Sequence, residues 1–284
     1  MEKYWILFVV LYSVFKSARD GMKKAALKRN TSLEILFFYT LIGFILIIPF
    51  SKNVFSLEPR YYYYIAIKSL VVGSAWLFAF KALQNMSVSH YGIMDLYSVL
   101  FSTLLGVSIL GETMTVPRVL GLILVVIGLL LVNRRNHANE KKLSATVLFA
   151  ALASCFLNAI SGTMDKILMQ NVEAGQLQFW FMFYMLIMYS TYILASRTKL
   201  NVKTLIKNYW VYIMSIVFVI GDRLLFIANA SPYSKVTVMT IIKQSSVLVT
   251  ILIGWAFFKD KNIRYKAFCA LIVLAGIVIA TAVR

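Results

Sequence analysis

Apolar runs of about 18–22 residues follow one another along the whole chain, divided by short loops that hold most of its charge. As a helix, each run can cross a hydrocarbon core of roughly 30 Å. Ten are counted, near 4–22, 32–50, 61–80, 88–110, 115–133, 144–169, 176–196, 208–228, 236–258 and 265–283. In lipid every backbone group must be bonded internally, and spans of this length do so as helices. Barrel strands would be about ten residues of alternating polarity, a pattern the chain does not show. Composition agrees: of 284 residues 61% are hydrophobic, where a soluble domain is nearer half apolar, and the mean hydropathy is +0.79. The expected class is an all-α integral membrane protein in the cell membrane. No polar stretch is long enough for a separate soluble domain.

The margins of the runs fit this class. Tyr61 to Tyr64 open the third run and Trp210 the eighth, as amphipathic rings at head-group depth do. Pro49, Pro59, Pro117 and Pro232 all lie at or near run ends. The apolar start of the first run gives way to Lys16, Arg19 and Asp20 and not to a small-residue cleavage site, so it does not read as a cleaved signal peptide. Cys155 and Cys269 sit inside apolar segments, where cysteine behaves as a small hydrophobe, and no disulfide is expected. The net charge of +18 lies mostly at run ends, where it meets anionic lipid head groups, so nucleic acid is not an expected partner. Loops after odd-numbered runs carry 17 Lys and Arg and the opposite side six. By that bias alone both termini lie outside.

A repeat divides the ten runs into five and five. A shift of 148 residues lays Gly92–Gly128 on Thr240–Gly276. It superposes Ser98, Val99 and Leu100 on Ser246, Val247 and Leu248, Gly106 on Gly254, Glu112 on Asp260, Arg118 on Lys266, and Gly128 on Gly276. Further back Gly73 falls on Gly221 and Phe78 on Phe226, whereas Asp20 meets Asp165 with a shift of 145. The expected units are residues 1–136 and 137–284. Because five is odd, the second unit enters the membrane from the opposite side. The expected fold is therefore ten transmembrane helices arranged as two inverted five-helix repeats, with substrate held near the midplane between them.

The segment LLGVSILGETMTVPRVLGLILVVIGLLL and its echo ILIGWAFFKDKNIRYKAFCALIVLAGIVI resemble EamA-type members of the drug/metabolite transporter superfamily. The family pattern is a small-residue span ending in Gly-Glu, a short turn, then a span with two spaced glycines. Gly111, Glu112, Gly121 and Gly128 match it, as do Asp260 and Gly276, while Lys259 and Cys269 replace the two other glycines. Ser98 and Ser246 stand where family members often carry proline. The resemblance implies a carrier of small metabolites or drugs and both termini in the cytoplasm, against the charge count. It does not reach a substrate.

Charge inside a bilayer costs about 2.5–3.5 kcal/mol at a helix centre on insertion scales, so each intramembrane charge needs a reason. Lys16, Arg19, Asp20, Lys68, Asp95, Asp165, Lys166, Asp222, Arg223 and Lys243 are the candidates. Asp95 and Lys243 are equivalent under the repeat. They are expected to meet across a central cavity, as a gating ion pair or as ligands for the two ends of a zwitterion; a structural salt bridge is the plainer alternative. Tyr97 and Gln244 stand beside them as hydrogen-bonding groups. Asp222 and Arg223 point about 100° apart on a helix, which favours Asp222 toward the cavity. Lys16 and Asp20, spaced i, i+4, can pair on one face. Lys166 can snorkel to the interface. Trp76, Tyr91, Tyr97, Trp180 and Tyr184 can cage a cationic or ring-bearing solute, or simply pack. His90 stands at the start of the fourth run, where it can relay protons or be solvated. Glu112 and Asp260 read as caps of the following helix or as partners of Arg118 and Lys266. GVSILG, Gly106–Gly111, reads as a close-packing face.

The expected substrate-binding set is Asp95, Lys243, Tyr97, Gln244, Trp76, Asp222 and Tyr91. The expected activity is secondary or facilitative transport of a small polar or amphipathic metabolite by alternating access, with a lipid flippase or channel as the alternative. An enzyme is not expected: His90 and His137 are far apart with no ligand spacing, and no catalytic site, metal or cofactor is read from the residues. No Walker-type loop is present to bind ATP. The partners read are a small-molecule substrate and the lipid bilayer, with homodimer formation left open.

Overall fold

The computed structural model of the chain describes residues 4–51, 53–111, 114–136, 143–244, 246–260 and 262–282. Among the described residues the chain is all helical, without strands. In chain order the helices are α1 (Tyr4–Ala26), α2 (Ser32–Ile47) with a 3-10 turn Ile48–Phe50, α3 (Pro59–Asn85), α4 (Val88–Met94), α5 (Tyr97–Leu110), α6 (Val116–Asn136) and α7 (Ala145–Leu168). There follow α8 (Ala174–Ala195), α9 (Val202–Ile206), α10 (Tyr209–Ala230), α11 (Val236–Gln244), α12 (Val247–Phe258) and α13 (Ile263–Ala282).

Among the described residues six helical stretches are long and apolar enough to cross a membrane: Ser32–Phe50, Pro59–Asn85, Val88–Ile109, Ala145–Leu168, Ala174–Ala195 and Tyr209–Ala230. The chain is thus a multi-pass membrane protein. Helix α1 is not among the six, because Lys16, Arg19, Asp20, Lys23 and Lys24 crowd its second half. Two of the apolar runs read from the sequence are each divided. The run 88–110 is α4 and α5, and the run 236–258 is α11 and α12.

Local chemistry sets the ends. Thr31 and Glu34 form a capping box at the start of α2, with Thr31 N–H donating to Glu34 Oε2 at 2.8 Å. Glu34 Oε1 also accepts from Asn201 N–H at 2.7 Å, tying this end to the loop before α9. Lys24 Nζ reaches the last carbonyls of α3, Leu83 O at 2.6 Å and Met86 O at 2.8 Å. Lys166 Nζ does the same for α10, at Asn229 O (3.1 Å) and Ser231 O (2.9 Å). A cation suits a helix C-terminus, where orphan carbonyls gather. Lys166 therefore caps a neighbouring helix.

Gly111 and Lys259, 148 residues apart, close α5 and α12 in the same left-handed conformation, with φ of 64° and 54°. Gly111 is a C-cap, and a Cβ added to it would meet nothing within 4 Å among the described residues. The GVSILG reading of a close-packing face therefore fails at Gly111. In the second half Lys259 adopts a conformation that L side chains resist.

Helix α6 packs against α13, α1 against α10, α3 against α7, and α2 against α8. Helix α4 lies against α12 and α5 against α11. In the α6–α13 pair a Cβ on Gly276 would stand 2.5 Å from Gly121 O, and one on Gly128 3.1 Å from Cys269 O. Such backbone approach is how helices associate where lipid supplies no hydrophobic drive. The largest buried cluster joins α2, α3, α8 and α10 around Tyr39, Phe181 and Phe218. Trp76 meets Phe218 edge-on at 5.2 Å.

Candidate functional site

The divided helices meet face to face. Around 94–98 the α-helical ladder gives way to tighter bonds, Leu96 N–H to Ile93 O at 3.1 Å and Ser98 N–H to Asp95 O at 3.0 Å. Asp95 and Leu96 have ψ of −19° and −21°, values of a 3-10 turn. Ser246 repeats this with ψ of −18° and its N–H on Lys243 O at 3.3 Å. No proline is needed for either break.

Side chains from neighbouring helices take up the carbonyls at both breaks. Gln244 Nε2 donates to Asp95 O at 3.2 Å and to Ser98 Oγ, and Ser98 Oγ itself donates to Asp95 O at 2.7 Å. Cys155 Sγ reaches Met94 O at 3.3 Å. Ser13 and Ser17 of α1 donate to Ile242 O (3.2 Å) and Ser246 O (2.8 Å). Each accounts for a backbone group that would be costly if left unpaired away from water.

A cavity of about 120 Å³ adjoins the two breaks. Its wall holds five cations, Lys16, Arg19, Lys23, Lys68 and Lys243, and four carboxylates, Asp20, Asp95, Asp165 and Asp222. Every carboxylate is engaged. Asp95 pairs with Lys16, Asp20 with Lys23 at 2.8 Å, Asp165 with Lys68 at 3.1 Å, and Asp222 with Arg19 at 3.5 Å. Three of these pairs join different helices, so they brace the cavity wall as well as neutralise it. Lys68 is 2% exposed, and its Nζ stands 3.8 Å from the centre of the Phe181 ring. Arg19 lies over Phe218 at 5.0 Å. Aromatic faces thus replace part of the hydration that burial removes.

Of the residues expected at the site, Asp95, Lys243, Gln244, Trp76, Asp222 and Tyr91 line the cavity. Tyr97 does not. It opens α5 just after the tightened turn and packs against two hydrophobic clusters. Asp95 is not held by Lys243: its ion pair is with Lys16. That contact also removes the expected Lys16–Asp20 pair, and Asp20 turns to Lys23. Trp180 and Tyr184 lie elsewhere, against each other and against Tyr62 and Phe183, with Trp180 Nε1 on Val54 O at 2.7 Å. Of the five expected aromatic residues only Trp76 and Tyr91 reach the cavity, so the cage is not assembled. Arg223 faces away, toward Phe50 O at 3.4 Å. His90 is buried in α4 and is not on the cavity wall.

Asp260 caps α4, not the helix that follows it. Its Oδ2 accepts from Ser89 N–H at 2.9 Å and from Ser89 Oγ at 2.5 Å, and Lys266 Nζ donates to the same hydroxyl at 3.1 Å. Glu112, the residue equivalent to Asp260, lies outside the described residues.

Sequence reasoning flagged Lys16, Arg19, Asp20, Lys68 and Asp165 as intramembrane charges but did not place them at the site. Their common signal, a charge well inside an apolar run, was sufficient to group them. Tyr12, Asn158 and Phe181 carried no such signal.

One solved structure, titled "Crystal structure of protein", aligns over 96% of this chain and 99% of that chain at 12% identity, with a TM-score of 0.66. That likeness shows the fold alone. No curated protein matches the sequence. The model of the EamA-like transporter family matches residues 3–134, consistent with the drug/metabolite transporter superfamily, whose EamA-like members are membrane transporters.

Proposed function

We propose that this chain is a cell-membrane carrier that moves a small polar or amphipathic solute by alternating access. In this reading ten transmembrane helices form two inverted five-helix repeats, 1–136 and 137–284, that rock about the cavity. The observation that carries it is the polar cavity walled by four ion pairs beside two broken helices. Irregular backbone and charge are tolerated at membrane depth where they line such a space.

The packing supports the repeat. Helices α1 and α7 open the two halves, and each packs on the third span of the other half, α10 and α3. Broken helix meets broken helix, and α6 meets α13. Lys24 and Lys166 cap the third spans of their own halves in the same way. Ion pairs that cross between helices, such as Lys68–Asp165, suit a wall that must separate and reform.

The test is counterflow of labelled solutes, drawn from amino acids, nucleosides, sugars, carboxylates and quaternary amines, in vesicles holding the purified protein. Saturable exchange of one class supports the carrier. Scrambling of fluorescent lipid without solute exchange contradicts it and points to a flippase.

A further inference from the structure

The charges of the cavity do not balance. Five cations face four carboxylates, and each carboxylate is engaged by a different cation. The fifth cation is Lys243. Among the described residues it has no ion pair and no hydrogen-bond acceptor, yet it stands half-buried on the cavity wall at the end of α11. Its Nζ lies 4.0 Å from where a Cβ on Gly162 would be, so a residue without a side chain leaves it room. An ammonium partly withdrawn from water with no direct ion pair is costly, and a ligand anion relieves that cost.

Two further groups open on the same space. Ser102 and Ser161 both line the cavity, and among the described residues their hydroxyls make no hydrogen bond. They offer donors to a second oxygen or to a polar substituent of a ligand. Apolar wall is supplied by Val72, Ala159 and Leu225. By contrast, every carboxylate on the wall already has a cationic partner.

We propose that the cavity binds a small solute bearing one carboxylate, with Lys243 as its counter-charge and Ser102 and Ser161 as hydroxyl partners. This rests on the reading of the cavity as the carrier's substrate site. One compact ammonium suits one negative charge, and it is a point charge without the fork that grips phosphate bidentately. A zwitterion is disfavoured, because Asp95 is already committed to Lys16. A quaternary amine is disfavoured by the surplus positive charge.

Thermal unfolding of the purified full-length protein tests the proposal at constant ionic strength. The probes are monocarboxylates from acetate through pyruvate and lactate to benzoate, with choline, glycerol and inorganic phosphate as contrasts. At least one monocarboxylate is expected to raise the midpoint saturably, by about 3 °C at tenfold excess over its Kd. Lys243→Gln is expected to lose that rise and Lys243→Arg to keep it. No rise with any monocarboxylate, a rise only with choline, glycerol or phosphate, or a rise undiminished in Lys243→Gln overturns the proposal. Counterflow on the same preparation separates this claim from the wider one. Carboxylate binding without movement refutes the carrier and leaves the anion site standing. Exchange of choline or glycerol without a carboxylate response keeps the carrier and refutes the anion site.

Discussion

The carboxylate of Asp95, at the break between α4 and α5, is held by Lys16 of α1 and not by Lys243, which lies 148 positions further along the sequence. The contact fastens the first helix to the discontinuous one at the point where the backbone ladder is weakest. Removing one member leaves the other charge buried and unmatched, which costs about 3–5 kcal/mol. Asp95→Asn is therefore expected to lower the unfolding midpoint in detergent. Exchanging the two charges, Lys16→Asp with Asp95→Lys, is expected to recover most of the loss. If the exchange is no better than the single change, the pair does not hold these helices together.

Lys68 is neutralised on one side by Asp165 and faced on another by the ring of Phe181. Desolvated cation–π contacts contribute about 2 kcal/mol. A double-mutant cycle between Lys68→Met and Phe181→Leu is expected to show a coupling of about 1–2 kcal/mol in thermal or denaturant unfolding. Additive losses would show that the ring only fills space.

Lys259 carries a left-handed conformation that its counterpart Gly111 adopts freely. Lys259→Gly removes strain of roughly 1–2 kcal/mol, partly offset by the greater freedom of glycine in the unfolded chain. A net gain of about 0.5–1 kcal/mol is expected, with Gly111→Ala a loss of similar size. Stability measurements that show Lys259→Gly to be destabilising contradict this account of the turn.

Gly276 and Gly128 let α13 and α6 touch backbone to backbone. Gly276→Ala places a methyl 2.5 Å from Gly121 O, with no flexible side chain there to yield. A loss of about 1–3 kcal/mol is expected, from forced separation of the pair. An unchanged unfolding midpoint would mean that the two helices are not held this closely.

Much of the helical layout was legible because runs long enough to span lipid leave few alternatives. The breaks were less so. They come from 3-10 tightening at Asp95–Leu96 and at Ser246, and serine in place of proline does not announce them. The polar residues near the cavity could be found one by one, since charge inside an apolar run is conspicuous. Their partners could not. Lys16 pairs across 79 positions and Arg19 across 203, and periodicity within one helix carries no such information. Local spacing even misled: Lys16 and Asp20 are well placed to pair, but Asp95 outcompetes Asp20, which takes Lys23. Tyr97 illustrates the same limit: it stands two residues from Asp95, yet it packs into hydrophobic clusters and not on the wall.

Lys243 is the point on which transport and recognition converge. The most direct measurement is the initial rate of solute counterflow by vesicles matched for protein content, comparing the native chain with Lys243→Ala and Lys243→Arg. Loss of a charged hydrogen bond is worth about 1.5–3 kcal/mol, or roughly tenfold to hundredfold in rate. Lys243→Ala is predicted to fall by that factor with expression intact, while Lys243→Arg retains substantial exchange. Native rates in Lys243→Ala would contradict the account, because the cation on the cavity wall that has no ion pair among the described residues would then have no part in moving the solute.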